Sequence, residues 1–459
     1  PGGLAKFSLV VASPQTTGAD FVGTSTLTAQ DTYGNTITDF DASANNVTIT
    51  ASNGGAMVDN VLTASTAFTN GVADLTDIDG SGPGTAGVQY NGPSSSGGIT
   101  FTATSASPVA SGTSGNVVIN NAPATRFVIT NKATIEANDP YTAGVGFDVV
   151  IEARDDNGNL VTNYNTAGVL LDDADGTPNT SISPSSITFS SGVWSGVVVV
   201  TQATPLILRV GQGSGLTPDQ TSTALVINPG GLAKFSLVVA SPQTTGADFV
   251  GTSTLTAQDT YGNTITDFDA SANNVTITAS NGGAMVDNVL TASTAFTNGV
   301  ADLTDIDGSG PGTAGVQYNG PSSSGGITFT ATSASPVASG TSGNVVINNA
   351  PATRFVITNK ATIEANDPYT AGVGFDVVIE ARDDNGNLVT NYNTAGVLLD
   401  DADGTPNTSI SPSSITFSSG VWSGVVVVTQ ATPLILRVGQ GSGLTPDQTS
   451  TALVINPGG

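Results

Sequence analysis

The chain has 459 residues, 10 Lys and Arg against 36 Asp and Glu, a formal charge of −26, and neither Cys nor His. That balance excludes a nucleic-acid-binding surface, which needs clustered Lys and Arg, and docking on an anionic membrane. It also excludes disulfides, thiolate nucleophiles and Cys/His zinc sites.

In chain order, the first clear signals are alternating apolar and polar runs, the period-2 pattern of a half-buried strand. "STLTAQ" (25–30) and "NVTIT" (46–50) alternate in this way. "ITFTATS" (99–105) puts Ile99, Phe101 and Ala103 on one face and Thr100, Thr102 and Thr104 on the other. "VVIN" (117–120) closes this series, and "NAPAT" leads into a second one. The second series runs "RFVIT" (126–130), "FDVVIEA" (147–153), "VLLDD" (169–173), "SITFS" (186–190), "VWSGVVVV" (193–200), "LILRV" (206–210) and "TALVIN" (223–228). Gly, Asn, Asp and Pro clusters separate the runs, as turns require. No helical stripe is evident. About seven short strands per series predict an all-β fold of immunoglobulin-like sandwiches.

Landmarks recur in the same order in both series. "AQDTYGNTIT" (29–38) answers to "ARDDNGNLVT" (153–162), "FTNGV" (68–72) to "FSSGV" (189–193), and "VVIN" to "LVIN" (225–228). The series are therefore two divergent copies of one module, A (1–122) and B (123–228). Residues 1–228 then recur letter for letter as 229–456. The chain reads A-B-A-B, with modules at 1–122, 123–228, 229–350 and 351–456, in an extended array. The closing "PGG" (457–459) reads as the start of a further repeat in a longer array, with an engineered pair of copies as the alternative. Each joint is short and carries Pro, which restricts bending; the Gly pair after Pro229 instead suits a softer joint.

Three loops are rich in oxygen ligands of the kind Ca²⁺ takes six to eight of. They are "DDADG" with Asp172, Asp173 and Asp175, "DIDG" with Asp77 and Asp79, and "RDDNGN" with Asp155, Asp156 and Asn157. Their copies are Asp400, Asp401, Asp403, Asp305, Asp307, Asp383, Asp384 and Asn385. The competing reading is that Asp-Gly and Asn-Gly simply make turns. Lys6, with Asn116 and Asn120, and Lys132 offer partners for an internal isopeptide bond; the competing reading is a solubilising lysine at a strand edge. Trp194, Tyr33, Tyr90, Tyr141 and Tyr164 could form a sugar-stacking platform, with core packing as the competing reading. Nothing in the sequence indicates a catalytic cleft.

"TLTAQDTYGNTITDFDASANNVTITAS" and "SPSSITFSSGVWSGVVVVTQ", together with the "TNGVA" hairpin (69–73), resemble the bacterial immunoglobulin-like tandem repeats of invasin- and intimin-type adhesins and related giant surface proteins. The resemblance covers all four modules and implies an extracellular, cell-surface stalk or filament without catalytic residues. The expected function is thus structural and non-enzymatic. A multivalent array binding glycans or a neighbouring surface, and an accessory region of a giant exported enzyme, are the alternatives. Expected partners are the neighbouring repeats of the same chain and, laterally, other copies of it. The sequence carries no apolar run long enough to span a bilayer.

Overall fold

A computed structural model describes residues 2–79, 86–174, 181–306, 315–402 and 409–459. The fold is all-β, and the chain divides into two units, Pro1–Asn228 and Pro229–Gly459.

In the first unit the strands up to residue 120 are β1 (Lys6–Val10), β2 (Gln15–Thr16), β3 (Thr26–Gln30), β4 (Val47–Ala51), β5 (Met57–Val58), β6 (Val61–Leu62), β7 (Val72–Asp74), β8 (Gln89–Tyr90), β9 (Ser95–Ile99), β10 (Phe101–Ala106), β11 (Val109–Thr113) and β12 (Val117–Asn120). They form sheets ordered β1-β3-β7, β11-β10-β4-β6 and β2-β12-β9, with a β5-β8 pair. Alternation sets the register: Phe7 lies opposite Ala29 and Leu9 opposite Leu27, and all four are buried in one cluster with Ile49, Phe101 and Tyr90. Each large apolar side chain so buried contributes about 1.5–3 kcal/mol. Leu27→Ala would cost about 2–5 kcal/mol through the cavity it leaves.

From residue 126 the order is β13 (Arg126–Ile129), helix α1 (Lys132–Ala137), β14 (Tyr141–Thr142), β15 (Phe147–Arg154), β16 (Val169–Asp173), β17 (Ile182–Ser183), β18 (Ser186–Ile187), β19 (Val193–Val200), β20 (Leu208–Val210), β21 (Asp219–Gln220) and β22 (Ile227–Asn228). The sheets are β13-β15-β19-β17 and β18-β16-β20-β21, with a β14-β22 pair. They enclose a second cluster around Phe127, Ile151, Phe189 and Leu208. Two facing sheets over one core make an immunoglobulin-like sandwich. The second unit has the same sheet orders and two equivalent cores.

Two details depart from the sequence reading. Helix α1 has no counterpart in the sequence pattern, because "KATIEA" is too short for a stripe and buries only Ile135. The strands are also shorter and more numerous than seven per series, because bulges and one-residue breaks divide the runs. Thr100 separates β9 from β10, for example.

The hairpin turns explain the recurrent "NGV" and "SGV". Asn70 and Gly71 have φ of 51° and 79°, and Ser191 and Gly192 have 51° and 81°. Positive φ at both central residues is the mark of a type I′ turn. A Cβ on Gly71 would lie 2.2 Å from the Ile37 carbonyl oxygen, so only Gly fits there.

Candidate functional site

The carboxylates proposed as calcium ligands are largely committed to the protein itself. Asp172 and Arg209 face each other across β16 and β20. Arg209 Nε donates to Asp172 Oδ1 at 3.0 Å and Nη2 to Oδ2 at 2.8 Å. The same guanidinium donates to the carbonyls of Asp173 and Ala174. Such a two-pronged pair neutralises the carboxylate and occupies both of its oxygens. Asp173 is the next residue on the strand and is buried, its Oδ1 accepting the Ile207 N–H at 3.2 Å. Consecutive strand residues point to opposite faces, so the side chains of Asp172 and Asp173 leave the strand on opposite sides. Asp400, Asp401 and Arg437 repeat the arrangement. Asp175, Asp307 and Asp403 lie outside the described residues.

The "RDDNGN" loop is an Asp-anchored turn. Asp155 Oδ1 accepts the Asn159 N–H at 2.8 Å and Oδ2 accepts Asn159 Nδ2 at 3.1 Å. Asp156 is exposed on the same turn. The loop also reaches the preceding sandwich. Asn159 Nδ2 donates to the Asn91 carbonyl at 2.9 Å and to Thr17 Oγ1 at 3.3 Å. Thr17 Oγ1 in turn donates to the Gly92 carbonyl at 2.6 Å. Asn157 lies against Gly18, where a Cβ would sit 2.5 Å from Asn157 Nδ2. Close by, Asn121 Oδ1 accepts the Thr162 N–H at 3.0 Å and Asn121 Nδ2 donates to Thr162 Oγ1 at 3.2 Å. The second unit makes the same bonds through Asp383, Asn387, Thr245, Asn319, Asn349 and Thr390, with Asn385 set against Gly246.

The corresponding loop of the other module type is built alike. Asp31 accepts the N–H groups of Tyr33, Asn35 and Gly2 and the Asn35 side-chain amide. These bonds, led by that of the Asn35 side chain, hold its carboxyl well below the usual carboxylate range. At Asp259 burial pushes the carboxyl up. The Asn263 side chain and the N–H groups of Gly230, Asn263 and Tyr261 outweigh it, and the net shift is downward. Asp77 and Asp305 sit in turns, donating their N–H groups to the Asp74 and Asp302 carbonyls; Asp79 is exposed beside Asp77. Among the described residues no three Asp or Glu come together in a group able to hold a metal ion.

Lys132 is an ion-pair partner. Its Nζ lies 2.6 Å from Asp219 Oδ1, and Asp219 Oδ2 accepts the Ile129 N–H at 2.7 Å. The aromatic residues are dispersed. Tyr90 is buried with its hydroxyl bonded to Asn53 and Pro93. Tyr141 packs on Phe147, Tyr164 packs on Phe127 and Phe189, and Trp194 lies over Gly196. Tyr33 stands exposed on its turn. A groove of about 790 Å³ in the second unit runs along the junction between its two sandwiches, lined by Ser322, Ser324, Val346, Asn349, Thr390 and Ser419. Hydroxyl and amide groups dominate it, with no ring to stack a sugar.

Sequence reasoning missed Thr17, Asn91, Asn121 and Thr162 as a junction. No signal marks them, because the D-x-x-G-N turn that Asn159 closes recurs at Asp31–Asn35 in the other module type. Among the described residues no helix is long and apolar enough to cross a membrane. No protein-family model and no curated protein matches the chain. Among solved structures it is similar to surface layer protein SbsC, domains 4–9, at 16% identity and a TM-score of 0.21, covering 99% of this chain and 66% of that one. It is similar to Sidekick-1 immunoglobulin domains 1–4 at 10% identity and a TM-score of 0.18, covering 98% and 97%. It is similar also to the insect immune protein hemolin at 10% identity and a TM-score of 0.19, covering 99% and 100%.

Proposed function

We propose that the protein is a non-enzymatic structural element of a bacterial or archaeal cell surface, a repetitive extracellular stalk or filament. The observation that carries this reading is the junction around Asn159, reproduced bond for bond around Asn387. Its Asn and Thr side chains tie one sandwich to the next. A unit repeated without change suits a length-setting role, because length scales with copy number and each repeat is stabilised chiefly by itself and its neighbours. The motif resemblance to invasin- and intimin-type repeats points the same way.

The test is immunogold electron microscopy of the source cells with antibody against the 228-residue unit. Gold spaced regularly along thin surface fibres supports the reading. Label confined to the medium or to a smooth layer removes it.

A second reading, a multivalent glycan-binding array, is favoured by the polar groove at Ser322 and Thr390. Weak identical sites gain by avidity, and a silent glycan array would discard it. Calcium is a proposal too. Calorimetric titration of the chain with Ca²⁺ decides it, and heat no larger than that of dilution ends it.

A further inference from the structure

One face of the sandwich formed by residues 126–228 combines a row of valines with charges set at opposite ends. In β13, β15 and β19 the inward residues are Phe127, Ile129, Phe147, Val149, Ile151, Val198 and their neighbours. The outward residues are therefore Arg126 and Val128, then Asp148, Val150, Glu152 and Arg154, then Val193, Ser195, Val197 and Val199. The register sets them in rows. Arg126 lies opposite Arg154; Val128, Glu152 and Val193 share a row; Val150 lies opposite Ser195, and Asp148 opposite Val197.

Three features follow. The face carries five valines, and Val197 is 54% exposed. It carries two positive and two negative side chains, so it is neutral on a chain of −26. Its charges are also polarised: two arginines stand side by side at one end, and Asp148 marks the other. Like charges directly across a strand pair oppose each other. Arg154 is relieved by Glu152, which lies 2.6 Å from it, whereas Arg126 makes no ion pair among the described residues. The other four-stranded sheet of this sandwich holds the Asp172–Arg209 pair. The outward face of β1-β3-β7 has one Lys, one Asp and two valines, Lys6, Asp74, Val10 and Val72, among Ser8, Thr26, Thr28 and Gln30, and the outward residues of β4 and β10 are mostly Thr. The second unit repeats the face, with Val425 53% exposed and Arg354, Arg382, Asp376 and Glu380 in the same places.

We propose that this face is a self-association surface, and that its occupant is the same face of a second copy of the chain. Two faces related by a two-fold axis with strands antiparallel bring valines onto valines. They also bring the Arg126 end of one copy onto the Asp148 end of the other. That is the self-complementarity an isologous contact requires, and face-to-face sheets pack about 10 Å apart. Arg154 and Asp148 are six residues apart on β15, or roughly 20 Å, so both ends engage at once. The net charge of the chain keeps copies apart, and this face adds no net charge to that repulsion while offering five valines and two arginines opposite an aspartate. A patch three strands wide falls in the small, weak class of interfaces, with an expected Kd of roughly 10–1000 μM per face. More than one such face on each chain adds avidity. This inference does not depend on the stalk reading.

The test is sedimentation equilibrium of the full chain at about 0.15 M ionic strength, where repulsion is screened beyond roughly 8 Å. Concentrations run up to about 1 mM, spanning the Kd range given above. The wild type is expected to associate with rising concentration. R126E/R354E and D148R/D376R are each expected to lose at least tenfold in association, and the four changes together to restore it. V197D/V425D is expected to abolish it. All these positions are exposed or half-exposed, and circular dichroism verifies folding. A wild type that stays monomeric throughout overturns the proposal. So does association that survives V197D/V425D, or a combined charge swap that fails to restore it.

Discussion

The side-chain amide of Asn159 donates across the junction to the backbone carbonyl of Asn91 at 2.9 Å, while its own N–H is held by Asp155. One residue thus completes a turn in one sandwich and satisfies a carbonyl in another. N159A with N387A removes the donor and leaves the Asn91 and Asn319 carbonyls short of a partner. Each junction is expected to lose about 1–3 kcal/mol. Denaturant unfolding of the full chain, followed through Trp194 and Trp422, reads this as a lower midpoint. An unchanged midpoint would mean that water replaces the amide without loss.

Gly18 and Gly54 provide a matched comparison at the backbone level. Both have positive φ, 73° and 72°. A Cβ at Gly54 meets nothing within 4 Å, whereas one at Gly18 lies 2.5 Å from Asn157 Nδ2. Gly54→Ala with Gly282→Ala is expected to cost only the conformational strain, about 1 kcal/mol per site. Gly18→Ala with Gly246→Ala carries that strain and also pushes Asn157 and Asn385 out of the junctions, so the cost per site is larger. Equal midpoints for the two variants would show that Asn157 swings aside freely.

What the sequence made legible was periodic. Alternation in "FDVVIEA" and "VWSGVVVV" located β15 and β19, because burial of one face leaves a period-2 trace. The turn residues of "TNGV" were readable because positive φ restricts composition. The role of Asn159 was not readable, since a carbonyl on residue 91 leaves no mark in the letters around residue 159. The same limit applied to Asp172. An acidic strand end looks the same whether a cation or an arginine 37 positions later will face it. Helix α1 escaped because one and a half turns with a single buried Ile produce no pattern.

The Asp172–Arg209 pair is mostly buried, with side chains 13% and 11% exposed. Removing one partner strands the other charge. Arg209→Met or Asp172→Leu alone is expected to cost about 3–5 kcal/mol, and the pair of changes together much less than their sum. Both sites in the chain must be changed, at 172 and 209 and at 400 and 437, for a single clean transition. Midpoints by calorimetry for the two single types and the double type close the cycle. Additive losses would show that the pair is solvated and only weakly coupled.

Acid should act through Asp31 and Asp259. Both carboxyls are lowered in the folded chain by hydrogen bonds that favour the charged form. A group whose folded pKa lies below its unfolded value binds more protons when unfolded, so stability rises with pH across that window. The contribution is complete above the unfolded value of about 3.9 and is lost as pH falls toward the lowered folded value. Denaturation midpoints measured from neutral pH down to about pH 2 should therefore stay flat above roughly pH 5 and decline below it. D31N with D259N keeps an acceptor oxygen but cannot titrate, so its decline should be shallower than that of the wild type. Its stability at neutral pH should be lower, because the charge-assisted bonds from Gly2, Gly230 and the two asparagines are weakened. Parallel acid limbs for wild type and variant would place the acid sensitivity in other carboxylates.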